Sequence, residues 1–474
     1  MNLRRGDLVR SPGFSRSGPL QGGTPNAGRV RERGSVFILV LWISFGLVVL
    51  AVYFANAMNF ELRAADNRAA AIEAEHAING AARYVKRVLS TYATNGALPD
   101  VKSYSSDTVP LGDSTFWIIG RADSQSTTTI ASDTPTFGLV DEASKLNLNS
   151  TNLTADMLAQ LPGMTVEFAA AIIDWRDADS TISPNGAEDE SYQRLSPARK
   201  CKNANFESVD ELRLVYGATL DLLYGEDVNL NGVLDANEND GDASPPHDNR
   251  DGRLDRGLLD YVTIYSRQPN TNRINIATSQ GRTQVANSLK QLGLDQKRIQ
   301  AITAKLNQPP NNTATFRSVL EFLIKSGMTA DEFALVEGNI TAYTGAVVDG
   351  LVNVNTASEA VLTCIPGISN SAPSLVAYRQ SNPSELTSLA WVTNVLDQAS
   401  ALRAGRYITG QSFQFSADIA ALGHHSRGYQ RVKFIFDTSE GTPKILYRQD
   451  ISHFGWALGA QVREDIQLAK DSRP

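Results

Sequence analysis

The feature that most constrains this chain is a long apolar stretch near its amino terminus. Residues 35–58 run for twenty-four positions without a charged side chain. At about 1.5 Å per residue, a helix of this length spans the roughly 30 Å hydrocarbon core of a membrane. Arginines dominate the residues before it, so we expect an amino terminus inside the cell and an exported remainder. They are Arg4, Arg5, Arg10, Arg16, Arg29, Arg31 and Arg33, against Asp7 and Glu32.

The order of the residues around this stretch separates it from an ordinary secretory signal. Such a signal is shorter and is followed by small residues, whereas here Gly34 precedes the apolar run. Arg31-Glu32-Arg33-Gly34 before a long apolar helix resembles the leader of type IV prepilins and type II secretion pseudopilins. The resemblance implies that a prepilin peptidase removes the basic cytoplasmic leader, residues 1–34, so that the mature chain begins at Ser35. The alternative is a signal anchor that is never cut.

The fifth residue after Gly34 narrows this resemblance. Most pilins carry a glutamate there, but this chain has Leu39, which is similar to the general secretion pathway protein K branch of minor pseudopilins. In the pilins that carry it, the buried glutamate helps each new subunit pair with the amino terminus of the subunit ahead. A subunit without it suits the tip of the filament, where no subunit lies ahead.

A two-part motif occurs twice after the membrane stretch. Residues 146–150, LNLNS, return as VNVNT at 352–356, and LAQLPGM at 158–164 returns as LTCIPGI at 362–368. A weaker copy begins at Ile274, and Ser208 and Glu211 form a predicted capping box in the first copy. The repeat resembles the helix-hairpin-helix, or SAM-like, modules that protein K inserts into its pilin fold, including the opening DE-x-x-KLNLN at 141–149.

Helix-hairpin-helix modules also bind DNA, which makes a DNA-binding receptor the main alternative function. That role uses a Gly-apolar-Gly turn to present N–H groups to a phosphate. Thr165 and Ser369 replace the second glycine in the two clear copies and are expected to cap helices instead. The net charge of −7 also argues against a nucleic-acid surface.

Residues 227–238, DVNLNGVLDANE, fit the template of a calcium-binding loop at every ligand position. The loop predicts one weak calcium site, with a dissociation constant on the order of 10⁻⁴ M, because only three ligands are carboxylates. Calcium also agrees with the protein K resemblance. The alternative is an acidic, disordered linker. The predicted ligands are Asp227, Asn229, Asn231, the carbonyl of Val233, Asp235 and Glu238.

A partial second loop follows at residues 249–255. It has the central glycine turn, but Leu258 stands where the terminal glutamate belongs. Asp248, Asp251 and Asp255 therefore either share ions with the first loop or only solvate it.

The remaining patterns predict an α+β protein: a pilin-like transmembrane helix on an antiparallel sheet, with a large helical insertion. Residues 258–266 are expected to return to the sheet as a strand, and alternating segments after Tyr407 to complete it. The predicted divisions are a leader at 1–34, the helix at 35–95, first strands at 96–140, a module with the calcium loop at 141–266, an extra module at 267–350, a third module at 351–400, and the final sheet at 401–474.

No catalytic motif is visible, and we expect no enzyme. The chain has no P-loop, nucleophile elbow or HExxH helix. His424 and His425 are expected to be solvated, and Asp174, Asp177 and Asp179 to be caps and loop anchors. The two cysteines, Cys201 and Cys364, are left open as a pair or as separate thiols.

These observations identify a minor pseudopilin of the protein K type. The resemblance implies a single-pass protein of the bacterial inner membrane with its bulk in the periplasm, which starts or limits pseudopilus assembly. The implied partners are other minor pseudopilins, the prepilin peptidase and the inner-membrane type II secretion platform. A minor subunit of a type IV pilus or competence system is the alternative within the same class.

Overall fold

The structure is a computed structural model that describes residues 35–93, 96–121, 134–241, 243–307 and 316–471. The leader and Gly34 lie outside these residues, and Ser35 is the first residue described. The chain divides into two units at Ala64 and Ala65. The long first helix crosses that boundary, and each unit is described by itself.

Helix α1 runs over Ser35–Tyr92, so the prediction of one continuous helix is confirmed. Its first part is apolar on every side, and large side chains such as Phe37 and Trp42 are 70% and 73% exposed. By length and composition this helix can cross a membrane. A helix that is hydrophobic all round needs an apolar environment, which the lipid core supplies.

The second unit contains an antiparallel sheet against which the remainder of α1 packs. Strands occur in the order β1 (Val109–Leu111), β2 (Ser114–Ile119), β12 (Gln414–Gly423), β13 (Arg427–Asp437) and β14 (Lys444–Asp450), and β3 (Val140–Asp141) also pairs with β12. Buried alanines recur on one face of α1, including Ala70, Ala74, Ala77 and Ala81. Alanine at this helical spacing lets the helix approach Ile118, Phe434 and other sheet residues closely.

All other elements up to β12 belong to an insertion between β3 and β12. Its helices are α2 (Ala155–Leu158), α3 (Val166–Arg176), α4 (Asp189–Gln193), α5 (Leu220–Tyr224), α6 (Ser279–Gln291), α7 (Gln296–Asn307), α8 (Val319–Ser326), α9 (Ala330–Glu337), α10 (Glu359–Thr363), α11 (Ala372–Ser381) and α12 (Gln398–Ala404). After the sheet, α13 spans Gly459–Asp471.

The three copies of the repeated motif take the same local structure. Each opens on a two-residue strand that pairs in parallel with a strand at the far end of its own copy. The pairs are β4 (Leu146–Asn147) with β5 (Val262–Thr263), β7 (Ile274–Asn275) with β8 (Ile340–Thr341), and β10 (Val352–Asn353) with β11 (Ile408–Thr409). Each copy is thereby closed on itself.

One arginine supports the motif in every copy by donating to backbone carbonyls. Arg176 reaches the carbonyls of Leu148, Ser150 and Leu153, Arg282 those of Ile276 and Ala277, and Arg379 those of Val354 and Ala357. A guanidinium suits this task because its planar fork carries five donors and no acceptor.

The first and last residues of the middle copy lie next to each other. Strand β6 (Arg267–Pro269) pairs antiparallel with β9 (Val347–Asp349), and the Gly350 N–H donates to the Ser266 carbonyl at 3.1 Å. The ends of this long excursion are therefore held together by backbone hydrogen bonds.

Three sequence expectations are wrong in detail. Residues 258–260 form a 3-10 turn and Val262–Thr263 joins β4, so this segment does not return to the main sheet. Residues 408–409 likewise belong to the last motif copy, and the final sheet begins at Gln414, later than the predicted 401. Ser369 opens a 3-10 turn without capping it, whereas Thr165 and the Ser208–Glu211 capping box act as predicted. Apolar alternation alone could not say which partner strand would be chosen.

Two adjacent buried carboxylates lie where the chain passes from the sheet into the insertion. Asp141 accepts hydrogen bonds from Asn353 Nδ2 at 3.0 Å, from Thr356 Oγ1 at 2.5 Å and from the Ser412 hydroxyl. Glu142 accepts from Lys145 Nζ at 2.9 Å and from the Thr263 hydroxyl. The sheet is thus joined to the last copy by one side chain and to the first copy by the next.

Asp141→Ala is expected to lower the free energy of unfolding by about 3 kcal/mol, since three side-chain donors lose their shared buried acceptor. Thermal unfolding of the full chain in detergent micelles measures this. Asp113→Ala, in the exposed turn between β1 and β2, is the matched control and is expected to change little. Equal stability of the two variants would contradict the linking role of Asp141.

Candidate functional site

The predicted calcium loop is a compact, hydrogen-bonded ring. The two carboxylate oxygens of Asp227 accept from the N–H groups of Asn231 and Gly232, each at 2.9 Å. Gly232 has a φ of +76°, which the tight turn at the sixth position requires. The beginning of the loop is therefore folded around the carboxylate of its first residue.

Glu238 closes the ring from the other end. One of its oxygens accepts from the N–H groups of Val228 at 2.9 Å and Asn229 at 3.3 Å, and the other accepts from that of Asp235 at 3.0 Å. The last template position thus lies against the second, third and ninth.

The loop holds negative charge that burial makes costly. Asp227 and Glu238 are 4% and 3% exposed. Burial raises the pKa of Asp227, although the nearby Arg256 and Arg121 oppose this. Burial, together with the charge of Asp227, raises the pKa of Glu238 to about 7. A hard cation would relieve this cost by compensating the two charges.

The ligand oxygens are engaged within the loop. Asp235 accepts from the side-chain amides of Asn229 at 2.7 Å and Asn231 at 3.0 Å. Within the described ranges, no three His, Cys, Asp or Glu side chains are arranged to hold a metal ion as they stand. The residue types fit calcium, but the two amides must turn their oxygens inward for all the predicted ligands to face an ion.

The second loop has the hydrogen-bond pattern of the first, with its glutamate supplied from elsewhere. Glu226 accepts from the N–H groups of Asn249 at 3.0 Å and Asp255 at 2.9 Å. These are the third and ninth template positions, two of the three that Glu238 binds in the first loop. The Asn249 side-chain amide donates to Asp255 at 2.8 Å, as Asn229 does to Asp235.

Sequence reasoning missed Glu226 because it precedes the loop that it completes. Leu258 occupies the expected glutamate position, and Glu226 lies directly before Asp227, where it had no assigned role. Glu226 and Asp248 are buried, whereas the predicted ligands Asp251 and Asp255 are exposed. The signal that could have revealed it is a template-matching loop that lacks only its last ligand.

One buried arginine fixes the first loop to the main sheet. Arg431 on β13 is 0% exposed and binds Asp418 of β12 with two nitrogens, at 2.9 and 2.6 Å. It also donates to the backbone carbonyls of Asn229 and Leu230, the latter at 2.9 Å. Leu230 has a φ of +54°, which turns this part of the loop toward the guanidinium.

A separate group of buried oxygens lies between the end of α3 and the start of α4. Asp174 is 0% exposed and Glu188 is 5% exposed. One oxygen of Asp174, one of Asp177 and both of Glu188 have no hydrogen-bond partner. Burial raises the pKa of Glu188, and the charges of Asp174 and Asp177 add to the rise. The loop-anchor interpretation of Asp174 is incomplete, since only its other oxygen binds a backbone N–H, that of Ser183.

The cysteines and histidines take definite places. Cys201 and Cys364 are both buried free thiols, and burial raises the pKa of Cys201 to about 11 and of Cys364 to about 12. Thiols in this state are poor nucleophiles. His424 is not solvated as expected, because its ring contacts Asp66 and Glu73 of α1.

Comparison with known proteins gives one family. Residues 139–224 match the family model described as type II secretion system (T2SS), protein K. A curated relative, the type II secretion system protein K of Pectobacterium carotovorum subsp. carotovorum, is 43% identical over 56 residues, which are 12% of this chain and 17% of that protein. The match thus spans about a sixth of the relative's length.

Among solved structures, the chain is similar to one in the crystal structure of the GspK-GspI-GspJ complex from the enterotoxigenic Escherichia coli type 2 secretion system. The TM-score is 0.39 at 10% identity, covering 82% of this chain and 99% of that one. At this TM-score the likeness supports no conclusion about the present chain.

Arg431→Met is expected to lower the free energy of unfolding by about 3 to 5 kcal/mol and to make residues 227–238 sensitive to protease. Removing the guanidinium leaves Asp418 unpaired and frees two loop carbonyls. Thermal unfolding and limited proteolysis with mass spectrometry measure the two effects. Arg448→Met, on the exposed neighbouring strand β14, is the control, and a loop equally resistant in both variants would refute the tie.

Proposed function

We propose that this chain, whose residues 139–224 match the model of the type II secretion system protein K family, acts as a minor pseudopilin of that system. The family match over the first part of the insertion is the observation that carries the proposal. The 24-residue uncharged stretch in α1 and the antiparallel sheet that packs on the same helix agree with it. No described residue is assigned a catalytic role.

A position at the tip of the filament is part of the proposal. Leu39 removes the carboxylate with which a pilin subunit pairs with the subunit ahead. The insertion between β3 and β12 adds three motif copies to the sheet of this subunit. Close packing of identical helical neighbours leaves little room for such an addition, so a terminal place, with neighbours on one side only, suits it best.

The partners follow from the same family. We propose that other minor pseudopilins contact this chain, that a prepilin peptidase cleaves it after Gly34, and that it assembles on the inner-membrane platform. Its amino terminus then faces the cytoplasm and its sheet and insertion face the periplasm, as the arginine-rich leader favours.

Amino-terminal sequencing of the protein purified from membranes tests processing. We expect the chain to begin at Ser35, and Gly34→Val to leave Met1 in place, because the peptidase accepts a small residue before the cut. Gly28→Val, elsewhere in the leader, is the control and should still be cut. An intact Met1 at normal abundance in the unaltered protein would favour the uncut signal anchor.

Two further measurements separate the alternative functions. A DNA-binding receptor would bind duplex DNA with an affinity that falls steeply with salt. A type IV pilus subunit would be required for pili, whereas deletion of a type II pseudopilin should abolish protein secretion and leave pili intact. Tight DNA binding, or loss of pili with normal secretion, would replace the proposed function.

We also propose that the two loops bind calcium. The first would use Asp227, Asn229, Asn231, the Val233 carbonyl, Asp235 and Glu238. The second would use Glu226 with Asn249, Asp251 and Asp255. The ion would supply charge compensation, which would let the carboxylates of each loop ionise together.

The buried oxygens at Asp174, Asp177 and Glu188 are a third candidate, and these side chains would have to move closer together to hold a hard cation. Their partners within the protein are too few for their burial: four oxygens accept no hydrogen bond. Native structures pair nearly all such atoms with protein, water or an ion. Gly186 lies beside this group. A Cβ at this position would come within 2.0 Å of Asp174, so the space next to the carboxylate holds no larger residue.

Calorimetry with calcium on the full chain in micelles tests these sites. At a dissociation constant near 10⁻⁴ M, 1 mM calcium should add about 1.4 kcal/mol of stability per site. Glu238→Gln, Glu226→Gln and Glu188→Gln should each remove one binding step. Glu190→Gln, an exposed glutamate paired only on the surface with Arg194, should remove none. If millimolar calcium gave no heat of binding and no shift in melting temperature, the calcium proposal would be wrong and the acidic-linker interpretation would be favoured.

A further inference from the structure

His424 lies in the turn between β12 and β13 with both ring nitrogens against carboxylates of helix α1. Its Nδ1 is 2.7 Å from Glu73 Oε2, and its Nε2 is 2.8 Å from Asp66 Oδ1. The His424 backbone N–H also donates to Glu73 Oε2 at 3.0 Å. The imidazole side chain is 18% exposed, so water has limited access to these contacts.

This geometry requires a proton. A neutral imidazole carries one N–H, so it can donate to only one carboxylate and must present a lone pair to the other. The imidazolium carries two N–H groups and satisfies both. We propose that His424 is a proton-dependent clasp that holds the β12–β13 hairpin on helix α1.

The backbones meet at the same place. A Cβ at Gly423 would lie 2.1 Å from the carbonyl oxygen of Ala70, and one at Gly428 would lie 2.4 Å from the Ala70 carbonyl carbon. Ala70 is fully buried. Asp66 precedes Ala70 by four residues and Glu73 follows it by three, so all three lie on one face of α1. The clasp therefore spans the point of closest contact.

The charged groups around His424 come from two elements. Helix α1 supplies Asp66 and Glu73. The hairpin supplies Arg427, whose guanidinium binds the second oxygen of Asp66, and His425, whose ring lies 5.1 Å from that of His424. Strand β2 meets β12 next to the turn, where Thr115, an uncharged residue, pairs with Leu422.

The pKa values agree in sign with a clasp closed by a proton. Hydrogen bonds with Asp66 and then Glu73 raise the pKa of His424 above its ordinary 6.5. The hydrogen bond with His424 lowers the pKa of Asp66, and its backbone and ring do the same for Glu73. The stabilisation is therefore complete below the unfolded value of His424 and is lost as pH rises through the folded value.

Opening would free a definite segment. A neutral His424 can donate a hydrogen bond to only one of the two carboxylates. Asp66 would still accept from Arg427. Of these contacts, Glu73 would keep only the backbone N–H of His424. The hairpin tip at 423–428 and the turn of α1 at 66–73 would then separate more often. This device goes beyond the proposed function and does not depend on it.

NMR of the full chain in micelles with labelled histidine rings tests the clasp. The chain has five histidines, and loss of one signal in His424→Gln assigns the resonance. We expect His424 to titrate above pH 6.5, and the hydrogen-exchange protection of amides 423–428 to fall as the pH rises through that midpoint. Protection is calculated relative to the intrinsic exchange rate of an unprotected amide at the same pH, which removes the pH dependence of exchange itself.

The control is His425→Asn, which removes the adjacent ring and suits the positive φ of that position, +54°. It should keep the pH step, whereas His424→Gln should lose it. A His424 midpoint at or below 6.5 in the unaltered chain would overturn the proposal, even if His424→Gln did not fold. A pH step that survives in a folded His424→Gln would overturn it as well.

Discussion

The second unit depends on the buried carboxylates of Asp141 and Glu142, at the end of β3. Burial raises the pKa of Asp141, and its three side-chain donors all come from residues more than two hundred positions away. Burial alone would raise the pKa of Glu142, but Lys145 and Lys433 lower it to about 2. Neighbouring residues thus face two different motif copies, and their pKa values shift in opposite directions because their surroundings differ. The buried apolar residues of the sheet and of the insertion form separate clusters, and these polar groups join the two regions.

Arg431 makes a second tie of a different kind. Its guanidinium joins two strands through Asp418 and joins the first loop through backbone carbonyls, so strand, loop and carboxylate share one cation. The candidate ion sites therefore lie in a segment that is already anchored. An ion in the first loop would order side chains around a preformed backbone, which costs less conformational entropy than folding a free linker.

Local chemistry was predictable from sequence, and long-range choices were not. The uncharged run predicted α1, and Ser208, Glu211 and Thr165 predicted their own caps, because each signal lies within a few residues. The partner of Val262 was not predictable, because an apolar β-branched pair fits either the main sheet or β4. Glu226 was missed for a related reason: it serves a loop that begins more than twenty residues later. His424 looked like a loop histidine because its two acidic neighbours lie some three hundred and fifty positions earlier.

The hydrogen bond between Ser266 and Gly350 bears on how much the length of the middle copy can vary. The middle copy begins and ends at adjacent points. Its length therefore does not change the distance that the rest of the chain must bridge, as in a short turn. Loop-closure entropy rises only slowly with length, and β6 and β9 meet that cost locally. A segment of this kind can therefore be lengthened, shortened or removed between Ser266 and Gly350 with little effect on the path of the rest of the chain.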